Sequence, residues 1–162
     1  MKKINNPFAF ARDLRVLEGR LEVAGLERLH DLLAETGGTV FWHLEGERGQ
    51  RGESLLRLTV SGGLLLACQR CLGATPFDLD IDSLLALVPA GAELSQEELE
   101  DDSRDFLPVE HDLDVAELVE DEILLALPVA PRHEKCGLPG VADDGGRVHP
   151  FAGLAGLKGK LN

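Results

Sequence analysis

Residues 76–88, PFDLDIDSLLALV, alternate in parity: Phe77, Leu79 and Ile81 fall on one side, Asp78, Asp80 and Asp82 on the other. Only an extended strand, with its period of two, puts the two sets on separate faces. A helix would scatter the carboxylates around its circumference. The chain is thereby committed to a sheet with one buried and one wet face, and the rest of the sequence must pair with this strand and cover it.

Strands to pair with it are present upstream. RVLEGRLEV, 15–23, sets Leu17, Gly19, Leu21 and Val23 against Val16, Glu18, Arg20 and Glu22. TVFWHLEGE, 39–47, places Val40, Trp42 and Leu44 on one face. ESLLRLTVSG, 53–62, buries Leu56, Leu58 and Val60 and continues through Leu64 to Ala67. The polar run Glu47-Arg48-Gly49-Gln50-Arg51-Gly52 between them reads as a hairpin loop.

Two helices are predicted. LERLHDLLAE carries Leu26, Leu29, Leu32 and Leu33 at helical spacing and stops at Gly37-Gly38. VAELVEDEILLAL, 115–127, follows a capping box of Asp114 and Glu117. Val115, Val119, Ile123 and Leu127 form its apolar stripe, with Leu118 and Leu125 beside it. Glu117, Glu120 and Asp121 make its outer face, and Pro128 ends it. Residues 89–112 read as a loop region with the acidic cluster Glu97, Glu98, Glu100, Asp101 and Asp102. The expected fold is α+β: a single domain over 1–144, with an antiparallel sheet of four to five strands and two main helices. An extended, basic, glycine-rich tail occupies 145–162. In that tail Phe151, Leu154 and Leu157 recur every third residue beside Lys158, so it reads as a poor helix alone and a docking segment on a partner.

Composition narrows the function. The net charge of −13 is concentrated: Asp78 to Glu122 holds 17 acids and one base, against 12 acids and 15 bases elsewhere. Nucleic-acid affinity comes from lysine and arginine displacing counterions, so the acidic stretch repels RNA or attracts a basic partner. Glu117, Glu120 and Asp121 are the residues expected to meet such a partner. There is no apolar run of about 18 residues to span a bilayer. The N-terminus MKKINNPFAFARDLRV lacks the apolar core of a secretory signal. Three cysteines, an odd number, fit a reducing compartment, and the cytoplasm is expected.

Those cysteines carry the chemistry. Cys68-x-x-Cys71 and His133-x-x-Cys136 together offer four soft donors of the kind zinc takes in a closed tetrahedral site. The 61 residues between the halves exceed the spacing of compact zinc modules. A thiol-redox pair needs a helix N-terminus behind it, and Leu-Gly-Ala-Thr-Pro follows Cys71 instead. Metal site, redox pair and plain hairpin tip stay open at this point. Hydrolytic motifs are absent: there is no P-loop, nucleophile elbow or HExxH. A divalent-metal nuclease would have to use Asp78, Asp80 and Asp82, or Asp101 and Asp102. Those carboxylates lack nearby cations and would repel the substrate.

CQRCL at 68–72, LVEDEILLALPVAPRHEKC at 118–136 and the closing HPFAGLAGLK resemble, in order and spacing, the bacterial YceD family, the large ribosomal RNA subunit accumulation proteins. The resemblance runs from Leu56 to Lys158 and, more faintly, includes NPFAFAR near the N-terminus. It implies a non-enzymatic factor in the synthesis, processing or stability of 23S ribosomal RNA. Its implied partners are ribosomal proteins or large-subunit assembly factors, with no membrane and no small-molecule substrate. The family pattern has further cysteines after the helix. This chain keeps only Cys136-Gly-Leu, with Pro139 where another would stand. The resemblance still implies that the two cysteine regions meet in space.

Overall fold

The computed structural model describes residues 2–96, 100 and 103–136. The tail residues Phe151, Leu154, Leu157 and Lys158, and the acids Glu97, Glu98, Asp101 and Asp102, lie outside the described residues. A short strand β1 (Lys3–Ile4) leads to helix α1 (Pro7–Arg12) and strand β2 (Val16–Glu22). Two 3-10 turns, Val23–Gly25 and Glu27–Leu32, run into β3 (Leu33–Glu35). The sheet strands β4 (Thr39–Arg48), β5 (Ser54–Ala67) and β6 (Ala74–Pro89) follow, then β7 (Asp105–Val109), β8 (Leu113–Asp114) and helix α2 (Val115–Ala126).

The fold is α+β around a mixed, mostly antiparallel sheet of six strands in the order β2-β4-β5-β6-β7, with β3 also on β5. The separate pair β1–β8 is antiparallel. β4 covers β5 as far as Gly62, and β3 takes over the same edge at Leu65 and Leu66, so β5 is paired on both sides for nearly its whole length. Cross-strand register confirms the parity reading: Val60 faces Trp42 on one side and Ile81 on the other. These residues form the buried face with Leu44, Leu58, Leu64 and Leu79. α2 packs across β5 and β6 through Val115, Leu118, Val119 and Ile123, all buried. Asp78, Asp80 and Asp82 lie on the wet face.

Three expectations change. The helix expected at LERLHDLLAE is a pair of 3-10 turns followed by a strand. Val23, Leu26 and Leu29 are buried at a repeat of three, the 3-10 period, and Leu33 must be extended to pair with Leu66. The 89–112 region contains β7, which runs parallel to β6 from Leu85↔Asp105 to Pro89↔Val109, so the sheet is not purely antiparallel. DFLPV is short and holds a proline, which suits an edge strand and hides it from a periodicity reading. The helix α1 was not foreseen, although Asn6-Pro7 is a start signal: the Asn6 side chain accepts from Ala9 N and Pro7 takes the first turn.

Helix α1 lies so close on β4 that only glycine fits beneath it. A Cβ at Gly46 would stand 2.6 Å from the Phe10 carbonyl oxygen and 2.7 Å from Ala11 Cα. Gly46 N also donates to Arg15 O at 2.8 Å, tying the same contact. Gly46→Ala should therefore lower stability by about 1–3 kcal/mol through overpacking. Gly37→Ala, where a Cβ meets nothing within 4 Å, should stay within about 0.5 kcal/mol. Urea unfolding of the two variants checks this, and equal midpoints would refute the close-approach account.

Candidate metal centre

The turn between β5 and β6 begins at Cys68, the first residue beyond Ala67. Cys68 N donates to Gly73 O at 2.9 Å and Leu72 N to Cys68 O at 2.8 Å, closing a tight knuckle. Leu72 takes the left-handed region, with φ 60°, so the conformational strain sits there rather than at Gly73. Gly73 instead lies against the site: a Cβ on it would meet Cys71 Sγ at 3.5 Å and His133 Cε1 at 3.7 Å.

The second half arrives from α2. Leu127 leaves the helix with extended backbone and Pro128 follows, so the chain turns away from the helix axis. Pro131 O then accepts from Gln69 N at 2.8 Å, which fastens the segment to the knuckle. The contact places Cys68, Cys71, His133 and Cys136 together, with every donor atom within 4.8 Å of the others. Cys68 Sγ is 3.9 Å from Cys136 Sγ, and Cys71 Sγ is 3.4 Å from His133 Nδ1. Tetrahedral coordination at ~2.3 Å for sulfur and ~2.0 Å for nitrogen has edges of about 3.8 and 3.5 Å. The cluster has the size of a site for one metal ion.

The imidazole is oriented by a backbone partner. His133 Nε2 lies 2.8 Å from Ala74 O. A carbonyl only accepts, so Nε2 carries the proton and Nδ1 presents its lone pair to the sulfurs, the arrangement metal-ligating histidines use. The Ala74 carbonyl, followed by the Cys68 sulfur, raises the His133 pKa above 6.5. At Cys68 burial is the largest single influence and opposes ionisation. The backbone N–H groups of Arg70, Cys71 and His133, with the Cys71 thiol, outweigh it and bring the pKa down to about 5. Burial and then the Cys68 sulfur push Cys136 up. These N–H groups thus favour the thiolate form of the fully buried Cys68.

The other residues singled out in the sequence sit elsewhere. Glu117 and Asp121 are exposed on α2, and Asp121 pairs with Arg28. Glu120 is not on the outer face. It is buried, and Oε1 accepts from Arg28 N at 2.8 Å, because the 3-10 turn packs against that side of the helix. Leu125, expected beside the apolar stripe, is 76% exposed. Contrary to the expectation that the β6 aspartates lack nearby cations, Asp82 is bound at 2.8 Å to Arg57 of the neighbouring strand, whose guanidinium also holds Glu47 at 2.7 Å. Among the described residues the metal-sized donor cluster is the Cys/His set, and the aspartates of β6 are not in it. The carbonyls of Ala74 and Pro131 that position the ligands carry no signal in the sequence, since any residue supplies a carbonyl.

The family model described as large ribosomal RNA subunit accumulation protein YceD matches residues 56–158, well over half of the chain, and spans all four donors. No solved structure matches the chain.

Stability of the metal-free protein should follow the thiol titrations. Cys68 moves from 9.0 when unfolded to about 5 when folded. The unfolded chain therefore binds the extra proton between these values, and the contribution of Cys68 is complete above the upper one and lost as pH falls through the lower. His133, shifted upward from 6.5, works the other way, contributing below that value and losing it as pH rises. The stability difference between wild type and Cys68→Ser, measured by denaturation in chelator, should grow as pH rises from about 5 toward 9. A difference that is flat across this window would refute the buried thiolate.

Proposed function

This chain belongs to the YceD family of large ribosomal RNA subunit accumulation proteins, and on that premise we propose that it is a non-enzymatic ribosome-biogenesis factor needed for 23S ribosomal RNA. The observation that carries the proposal is the family match over 56–158, which takes in the central strands, α2 and the whole Cys/His cluster. The site acts as a staple rather than a reactive centre. Three thiols and an imidazole suit zinc, and four protein ligands fill its tetrahedron without an open position for substrate. Cys68 is fully buried, so a redox partner has no path to the most acidic thiol. The nuclease alternative has less support: Asp78, Asp80 and Asp82 lie in a row on a solvated face, and Asp82 is already engaged by Arg57.

The partner on this reading is a basic ribosomal protein or large-subunit assembly factor in the cytoplasm. Glu117 is free to meet it, and Asp121 is reached in exchange with Arg28. Glu120 belongs to the packing of the helix and not to the docking surface. Among the described residues no helix is long and apolar enough to cross a membrane.

Deletion of the gene should lower the ratio of large to small subunits and deplete 23S RNA while 16S RNA is comparatively intact. Sucrose gradients and RNA blots measure this, and normal profiles in a clean deletion would overturn the role. Protein purified without chelator should carry about one zinc per chain. Removing the metal should expose the segment from Pro128 onward to protease, because metal ligation holds pieces with little core of their own. Absence of zinc in elemental analysis, or unchanged proteolysis after chelation, would refute the staple.

A further inference from the structure

Helix α2 carries a second apolar stripe that the sheet does not bury. Leu118 and Leu125 stand seven residues apart, on one side of the helix, with Leu124 beside them. Leu118 is buried, Leu124 is half-buried, and Leu125 is 76% exposed. Opposite them lies β7, the edge strand, whose Phe106 and Leu107 are each only partly covered. Together with Leu85 of β6 these side chains line a groove of about 450 Å³. Asp105 and Asp121 stand exposed at its rim, and among the described residues Arg28 is its one cation. A leucine left in water beside an open apolar groove with a carboxylate rim calls for an apolar, basic segment to cover it.

The sequence contains such a segment. Residues 145–162 hold Arg147, Lys158 and Lys160 and no acid, and Phe151, Leu154 and Leu157 recur every third residue. Taken as a helix, Phe151 to Leu157 covers about 9 Å, close to the ~10 Å of α2 between Leu118 and Leu125. Gly153, Gly156 and Gly159 make a poor helix in water, so such a helix needs a surface that buries its three large side chains. Chain length allows that surface to be the protein's own. Eleven residues separate Leu125 from Cys136, which puts the two at most about 40 Å apart. Fifteen residues run from Cys136 to Phe151 and reach about 50 Å. A segment on the same chain meets the groove at an effective concentration on the order of millimolar, which favours it over a second copy or a separate protein.

We propose that residues 150–158 dock as a helix in the groove between α2 and β7 of their own chain, with Phe151, Leu154 and Leu157 against its leucines and Lys158 at its acidic rim. Hydrogen exchange of the full-length protein, read by mass spectrometry over 151–158, tests this. These amides should exchange about tenfold or more slower than their intrinsic rate. Leu125→Asp, at an exposed position outside the core, should abolish the protection. So should Leu154→Asp, which leaves α2 and the sheet untouched. Phe41→Asp, 57% exposed on the face of the sheet away from α2, should leave it unchanged. Exchange at the intrinsic rate in the wild type, protection that survives Leu125→Asp, or equal loss in Phe41→Asp would overturn the docking. Protection that fades on about a hundredfold dilution assigns the groove to a second copy and equally overturns docking in cis. The exchange rate reads one chain in solution and the gradients read subunit abundance, so neither outcome decides the other.

Discussion

The β5–β6 ladder, in register from Leu55↔Ala86 to Ala67↔Ala74, is the constraint on which the rest of the molecule depends. It aligns the apolar parity of two long strands, so that Val60, Leu64, Leu79 and Ile81 share one face and α2 has a surface to bury against. A slip of one residue would send Asp78, Asp80 and Asp82 into that core and lift Leu79 and Ile81 into water. Register is therefore fixed by the cost of burying three carboxylates as much as by hydrogen bonding. The same ladder ends at the knuckle, so whatever holds the strands in register also sets the position of Cys68 and Cys71.

The two ends of the ladder have different chemistry. At one end the turn turns its N–H groups toward Cys68 sulfur, and the segment after α2 is fastened to it by the Gln69–Pro131 bond. At the other end β4 and β5 meet in a hairpin, and α1 closes on β4 over Gly46. α2 runs from the N-terminal segment to the knuckle: Val115 N at its start donates to Lys2 O, while its C-terminal exit delivers His133 and Cys136. Loosening the cysteine cluster would therefore free the chain beyond Pro128 while leaving the α2–sheet core intact, since none of the four donors belongs to the helix.

Charge is distributed by the same logic. The acids of β6 occupy the wet face, where Arg57 bridges Glu47 and Asp82. Such an exposed network contributes little to stability, on the order of 1 kcal/mol or less per pair, and keeps the open face from sticking to other sheets. The carboxylates of α2 have separate duties. Glu120 and Glu122 are buried, one accepting from Arg28 N and the other from the Ser83 hydroxyl, whereas Glu117 stays in solvent. Removing Glu120 or its partner leaves a buried polar group unmatched, so these two carboxylates bear on the fold rather than on recognition.

The parity of β2, β4, β5 and β6, the capped start of α2 at Asp114 and its stop before Pro128 were all legible in the sequence. Each is a local property: alternation, capping and ring closure act within a few residues. The chain also names its four soft donors, but with 61 residues between the halves it could leave them as a hairpin tip and a loose segment. Tertiary structure decided that they meet, through a helix packed on β5 and β6 and a carbonyl at Pro131 that no side-chain pattern announces. It also decided the parallel β7, the 3-10 turns in place of a helix, the burial of Glu120 and the seat of Trp42 over Gly19. In each case the deciding contact joins residues far apart in the chain, where packing and register override local propensity.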